Sequence, residues 1–342
     1  MKTAIVLFNL GGPDSPEAVK PFLFNLFHDP AIIGLPQPLR WLVARLVSSR
    51  RAPVAREIYG LIGGKSPILE KTREQATALD ALLNRDGASY KSFIAMRYWH
   101  PFAAETAAEI RAWGAQRVIL LPLYPQFSTT TTGSSLRDWK SAAARAGLAV
   151  PTVEIGCYFD EPHFVEAHAE TVRTALVGLN PDDTRILFSA HGLPEKIVAA
   201  GDPYQWQVEQ SVAAIMASQG DGAPEHSICY QSRVGPLKWI GPSTEEEIHR
   251  AGRDGKAVVL VPVAFVSEHS ETLVELDIEY GKLARESGVS AYHRVPALGD
   301  QPRFIEGLAE LVRAASAGGP GMMAKAGAQC PAPFGRCICR GT

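Results

Sequence analysis

The sequence lacks the excesses that mark a nucleic-acid-binding, membrane-spanning or exported protein. Its 34 Lys and Arg stand against 36 Asp and Glu, a net charge of -2, and the cations are mostly scattered. With no basic surplus to neutralise phosphates, no nucleic-acid partner is expected. No apolar run reaches the ~18 residues of a membrane span. The opening stretch Met1-Lys-Thr-Ala-Ile-Val-Leu-Phe-Asn-Leu10 passes straight into a Gly-Gly-Pro turn. It has neither a long apolar h-region nor a small-residue cleavage site, so it reads as a first strand, and a cytoplasmic location is expected. Cysteine is scarce, at five residues. In a long chain without an export signal, such thiols are reduced groups or metal ligands in preference to disulfides. Nucleotide fingerprints are missing too. Gly60-Leu-Ile-Gly-Gly-Lys-Ser66 looks like a phosphate loop, but Tyr59 occupies the place of its first glycine. Gly11-Gly12-Pro13 does not continue into a dinucleotide fingerprint, so no nucleotide is expected.

What is present is the composition of a soluble globular protein, 46% hydrophobic and 20% charged, in a chain of 342 residues that exceeds the usual single core. Three strand-like runs recur in order. Ile5-Val-Leu-Phe-Asn-Leu-Gly-Gly-Pro13 pairs with Arg185-Ile-Leu-Phe-Ser-Ala-His-Gly-Leu-Pro194, and Lys91-Ser-Phe-Ile-Ala-Met-Arg-Tyr-Trp-His-Pro101 with His226-Ser-Ile-Cys-Tyr-Gln-Ser-Arg-Val-Gly-Pro236. Arg117-Val-Ile-Leu-Leu-Pro-Leu-Tyr-Pro125 pairs with Ala257-Val-Val-Leu-Val-Pro-Val-Ala264. A duplicated unit of this kind predicts an α/β protein of two similar doubly wound, Rossmann-like lobes with a cleft between them. The expected division is 1–178, 179–313, and a cysteine-containing extension over 314–342 that is disordered without a bound partner. The first half carries surplus residues between Val19 and about Gly64, rich in Phe, Leu, Ile and Trp and broken by Pro30, Pro36 and Pro38. Such an insertion either packs on the body or forms an apolar lip at about 20–64, rimmed by arginines.

Two groups of polar residues stand at predicted strand ends, where open α/β sheets bind ligands. His191 closes the apolar run from Ile186 and precedes Gly192. Glu268, His269 and Glu271 follow the run ending at Ala264, and a helix predicted from Thr272 carries Glu275 and Glu279 onward at i, i+4. On most helices such a stripe is a solvated face, and a lone histidine is a structural group more often than a catalyst. Together across a cleft, an imidazole and an acidic ladder can take up protons or share a divalent metal.

The chain resembles the ferrochelatases, chelatase-fold enzymes that insert ferrous iron into a porphyrin. The resemblance runs from Ala4 to about Val312. It is carried by Leu10-Gly-Gly-Pro13, Ile62-Gly-Gly-Lys-Ser-Pro67, Met96-Arg-Tyr98, Leu121-Pro-Leu-Tyr-Pro-Gln-Phe-Ser128 and Thr132-Gly-Ser-Ser135. In the second half it rests on Ser189-Ala-His-Gly-Leu-Pro194, Gly201-Asp-Pro-Tyr204, Val234-Gly-Pro236, Trp239-Ile-Gly-Pro242, Glu268-His-Ser-Glu271 and Leu276-Asp-Ile-Glu-Tyr280. The resemblance implies His191 and Glu271 as the catalytic pair and as ligands of the Fe2+ substrate. Glu268, His269, Glu275 and Glu279 follow as a relay for protons or metal. Arg51, Tyr59 and Ser66 match porphyrin-binding positions, and Tyr98 and Trp239 are expected to line the macrocycle. The lip implies peripheral contact with the inner face of a membrane, and the family reading leaves room for a homodimer. Coproporphyrin or cobalt chelation, and a non-catalytic two-lobed haem or metal carrier, remain open at this point.

The tail presents Cys330, Cys337 and Cys339 in a C-x6-C-x-C spacing that fits no ordinary zinc finger. Some ferrochelatases hold a [2Fe-2S] cluster with three C-terminal thiolates, and the resemblance implies the same cofactor here. Animal members take the fourth thiolate from the segment matching Ser128-Thr129, where this chain has no cysteine. The fourth ligand is then Cys157 or Cys229. Cys157, at the end of a predicted element, is favoured over Cys229 within a predicted buried strand, while free thiols or adventitious zinc remain the alternative.

Overall fold

The computed structural model describes residues 1–233, 235, 237–319, 321–323 and 330–339. Val234 and Pro236 of the Val-Gly-Pro motif lie outside the described residues, as do 324–329 and 340–342 of the C-terminal extension. The chain divides into two compact units. The first holds Met1–Gly156 with the described residues from Leu308 to 323, and the second holds Cys157–Gly307 with 330–339.

In the first unit β1 (Thr3–Asn9) is followed by α1 (Val19–His28), α2 (Gln37–Gly60) and α3 (Ile68–Leu83) before β2 (Tyr90–Met96). Then α4 (Ala103–Trp113), β3 (Arg117–Pro122), α5 (Thr132–Ala146) and β4 (Thr152–Ile155) alternate. The strands are all parallel, in the order β2-β1-β3-β4. Every residue of β1 is buried, because helices cover both faces of a parallel sheet, and this is why the strand reads as an unbroken apolar run.

The surplus segment is α1 and α2. Pro36 sits immediately before α2 and Pro38 in its first turn, where the missing N–H costs nothing, so the prolines separate two helices as expected. Val19, Phe22, Leu23, Ala52 and Tyr59 pack with Tyr98 in one cluster of the first unit. The joint between the two helices is fixed by Asp29, which is buried and paired with Arg97 at 2.9 Å. Asp29 also accepts from the Tyr98 hydroxyl at 2.8 Å. On the opposite side of α2, Leu39, Leu42 and Leu46 are each more than half exposed, at an i, i+3, i+7 spacing that places them on one face.

In the second unit α6 (Pro162–Leu176) leads to β5 (Thr184–His191), α7 (Glu195–Ala199), α8 (Tyr204–Ala217), β6 (Glu225–Gln231), α9 (Thr244–Arg253) and β7 (Ala257–Pro262). A π-helix over Glu271–Glu279 runs into α10 (Tyr280–Glu286), followed by β8 (Tyr292–Arg294). The sheet is parallel in the order β6-β5-β7-β8. This repeats the order of the first unit strand for strand, with β5 in the place of β1. The duplication read from the three recurring runs is therefore present in three dimensions.

Three expectations change. The units part at Gly156 and Cys157 and not near Gly178, because α6 packs against α8. The described residues beyond Val312 are ordered, against the expected disorder: α11 (Pro302–Ala317) continues past it, β9 (Gly321–Met323) pairs parallel with β4, and Cys330, Cys337 and Cys339 are buried. The segment from Glu271 is a π-helix where an α-helix was predicted. Among the described residues no helix is long and apolar enough to cross a membrane.

Candidate functional site

His191 is the last residue of β5, and the turn that follows it is forced tight. The Gly192 N–H donates to the Gln231 carbonyl at 2.8 Å. A Cβ at Gly192 would lie 2.9 Å from that oxygen and 3.2 Å from the Trp239 ring, so only glycine lets the turn approach β6 this closely. His191 Nδ1 lies 2.6 Å from the Gly192 carbonyl, which can only accept. The proton of the neutral ring is therefore on Nδ1, and Nε2 presents its lone pair outward. The buried Tyr204 hydroxyl at the start of α8 meets the His191 main chain and steadies the same turn.

Nε2 faces Glu271 Oε1 at 3.9 Å, and His269 Nε2 faces Glu271 Oε2 at 3.8 Å. Neither is a hydrogen bond. Among the described residues, Glu271 Oε2 and His269 Nδ1 are buried without a hydrogen-bond partner. Two imidazoles around one carboxylate, at separations too long for direct bonding, suit a small cation or a proton carrier between them. Burial works to raise the Glu271 pKa, but the facing His191 and His269 rings overcome it and hold the carboxyl at about 2. The site thus keeps a fixed negative charge. Imidazole and carboxylate together bind divalent first-row metals without the grip of a thiolate cage. Among the described residues no set of three or more His, Cys, Asp or Glu side chains is arranged to cage one metal ion.

The π-helix decides where the acids go. In an i→i+5 ladder each turn is wider than in an α-helix, and here Tyr280 N–H donates to the Glu275 carbonyl five residues back. Glu275 turns inward, while Glu279 is exposed. Glu275 Oε1 accepts from the Ser232 N–H at 2.8 Å and from the Tyr280 hydroxyl at 3.0 Å. Its Oε2 accepts from the Ser232 hydroxyl at 2.5 Å and from Gln231 Nε2 at 3.3 Å. Burial, with the charge of Glu271 behind it, raises the Glu275 pKa. The Tyr280 hydroxyl also lies 3.1 Å from Glu245 Oε1. One phenolic proton cannot serve two carboxylates at once, so Glu275 and Glu245 compete for the Tyr280 hydroxyl.

Glu268 has a different place. Its Oε1 accepts from Arg294 Nη1 at 2.5 Å and from the Ala297 N–H at 2.9 Å, and Arg294 also pairs with Asp277. This pairing fastens β8 to the segment before the π-helix and engages one of the two carboxylate oxygens of Glu268. Trp239 is half-buried beside Gly192. Arg51, Tyr59, Ser66 and Tyr98 belong to the first unit. Arg51 is exposed, its guanidinium 5.8 Å from the Phe27 ring. Tyr59 and Ser66 are buried, and Tyr98 is 1% exposed with its hydroxyl on Asp29, so Tyr98 presents no ring face to a ligand. Ser232, Tyr280 and Glu245 were not singled out as site residues. Tyr280 closes the motif that starts at Leu276 and Ser232 lies in the recurring run that starts at His226, but no local pattern shows that these two and Glu245 meet.

A second cluster of side chains lies elsewhere in the second unit. Cys157 Sγ is 3.9 Å from Cys339 Sγ. Gln207 Nε2 donates to Cys330 Sγ at 3.2 Å and lies 3.6 Å from Cys157 Sγ. The neighbouring Cys337 thiol raises the Cys330 pKa, and Cys157 and Cys337 raise that of Cys339. Four thiols therefore meet in one buried place. Cys229 is not among them: it lies in β6 within an apolar cluster, its Sγ directed at the Phe188 carbonyl, and burial pushes its thiol up to about 12.

The pattern of the ferrochelatase family matches residues 2–316. The ferrochelatase of Caulobacter vibrioides is 53% identical over 343 residues, covering 99% of this chain and 98% of that protein. The ferrochelatase of Phenylobacterium zucineum is 51% identical over 349 residues, again covering 99% and 98%. Among solved structures, SirB from Bacillus subtilis with Fe3+ superposes with a TM-score of 0.55 over 93% of this chain and 96% of that one, at 14% identity. That likeness is one of fold.

Proposed function

The chain belongs to the ferrochelatase family, and from that premise we propose that His191 and Glu271 carry the metal chemistry of its reaction. The enzyme inserts Fe2+ into protoporphyrin IX to give protohaem, and two pyrrole protons leave. The observation that carries the residue assignment is the tautomer of His191. With Nδ1–H held by the Gly192 carbonyl, Nε2 is free to accept a pyrrole proton or to touch the arriving ion. Glu271, kept ionised beside His269, attracts Fe2+ and compensates the imidazolium formed when His191 takes a proton. Protons then pass from the site by way of Glu275, Tyr280 and Glu245, with the exposed Glu279 at the edge of the route. Glu268 holds Arg294, and Trp239 lines the macrocycle. Arg51, Tyr59 and Ser66 remain the proposed partners of the porphyrin's carboxylates.

The test is an anaerobic assay of Fe2+ with protoporphyrin IX. His191→Ala should lower kcat by about 10²–10⁴-fold with an unchanged thermal unfolding temperature. A variant turning over at the wild-type rate would remove His191 from the mechanism. Coproporphyrin run beside protoporphyrin separates the two substrates by kcat/KM, and stoichiometric binding without metallation would favour a carrier.

Cys157, Cys330, Cys337 and Cys339 fit the ligand set of a [2Fe-2S] cluster. A two-iron unit needs thiolates in pairs, not four gathered around one ion, and one close pair is Cys157 with Cys339. When bound, such a group supplies a one-electron couple and ties the tail to the segment between β4 and α6 that carries Cys157; the iron-insertion step is written without it. The exposed Leu39, Leu42 and Leu46 face of α2 supports peripheral contact with a membrane surface, from which an apolar porphyrin would be taken up.

A further inference from the structure

Gln207 lies one turn into α8, fully buried, in a place where the surrounding chain gives it an unusual task. Its side-chain nitrogen carries two hydrogens, and two of the four clustered sulfurs lie within reach: Cys330 Sγ at 3.2 Å and Cys157 Sγ at 3.6 Å. The turn that starts α8 is gripped by the same tail that brings the cysteines. The Arg336 N–H donates to the Gly201 carbonyl at 3.1 Å. The Trp206 ring, next to Gln207, lies 5.8 Å from Phe334 and 5.5 Å from Phe159. Cys157 precedes Phe159 by two residues, so both chain segments that supply sulfurs also fix the helix that supplies the amide. A neutral thiol is a poor acceptor and compensates a buried amide badly, whereas a sulfur bearing negative charge accepts strongly.

Resting on the reading of these cysteines as cluster ligands, we propose that Gln207 tunes the cluster, its amide N–H groups on the Cys157 and Cys330 sulfurs stabilising the reduced form. Reduction adds one electron, converts one ferric ion to ferrous and leaves every bond in place. The added charge is shared with the ligating sulfurs, and a donor dipole aimed at them favours it; hydrogen bonds to sulfur are among the factors that set such potentials. Without the amide the reduced state loses that support and the midpoint moves negative.

The experiment begins with the full chain purified without oxygen and assayed for iron and acid-labile sulfide. A potentiometric titration with dithionite as electron source then follows the paramagnetic resonance of the reduced form. In Gln207→Leu, reduction should become about tenfold less favourable, a midpoint shift of about 59 mV for a one-electron couple. Gln207→Glu should shift it further in the same direction, because a carboxylate beside the sulfurs opposes the incoming charge. Gln205→Leu, which removes an amide bonded to Glu209 on the same helix, should leave the midpoint where it is. If Gln207→Leu is recovered without iron, Gln207→Glu carries the titration. Unchanged midpoints in Gln207 variants that hold full iron and sulfide would overturn the role of Gln207 while leaving the cluster standing. A wild-type protein with neither iron nor sulfide would overturn the cluster reading, and this inference with it.

Discussion

His168 and His191 share a residue type and nothing else. His191 ends a strand with one nitrogen satisfied and the other open. His168 is fully buried on α6, its ring 4.8 Å edge-on from Phe164 and neither ring nitrogen hydrogen-bonded among the described residues. Burial alone lowers its pKa to about 3, so the folded protein keeps it neutral where the unfolded chain would charge it. A group whose folded pKa is depressed below its unfolded value of ~6.5 contributes stability above that value and loses it as pH falls towards 3. The expected slope is about 1.4 kcal/mol per pH unit across that window. His168→Phe, which fills the same space without a proton site, should flatten the slope by about that amount in chemical unfolding measured at pH 6, 5 and 4. An unaltered slope would show that other groups dominate acid unfolding.

At the scale of an element, the π-helix is the feature on which the site turns. Leu276 and Tyr280 are buried in the core of the second unit, so the helix is anchored at its far end. The wide turns then set where Glu271 and Glu275 point. Deleting the exposed Ile278 should convert the ladder to α-helical spacing and rotate Glu271 by about 100° relative to Tyr280. Turnover should fall at least tenfold with the fold retained by circular dichroism, and undiminished turnover would show that the π geometry is incidental. The apolar face of α2 invites a separate test. Replacing Leu39, Leu42 and Leu46 by Gln should weaken binding to anionic lipid vesicles by roughly tenfold per leucine, on the order of 1.5 kcal/mol each. The kcat with detergent-dispersed porphyrin should not change. Equal vesicle binding by the variant would mean that this face serves another purpose.

At the scale of the whole molecule, the tail and Cys157 come together only because the chain returns to the second unit after its excursion through α11 and β9. A cofactor held there stabilises by mass action, since the unfolded chain cannot assemble the same four thiols. Iron removal with a chelator should lower the thermal unfolding temperature by several degrees, on the order of 1–2 kcal/mol or more. Cys337→Ser should already show the lower value, lack colour, and respond no further to the chelator. A wild type indifferent to chelation would deny the cysteines any part in stability. Much of this architecture was legible in the chain. Strands buried on both faces must be apolar throughout, so the three recurring runs announced the parallel sheets and their duplication. Glycine and proline after each run located the turns, and His191 stood at one of them. The π-helix was hidden, because its sequence also satisfies an α-helical pattern and the extra residue per turn is held by packing at Leu276 and Tyr280. The Arg294 pairing of Glu268, the Asp29 hydrogen bond of Tyr98, and the Glu275–Tyr280–Glu245 chain were hidden for a related reason. Local pattern determines which backbone a segment prefers, because that preference is set by neighbours in sequence. Which partner a buried charge or sulfur finds depends on segments far along the chain, and only their packing decides it.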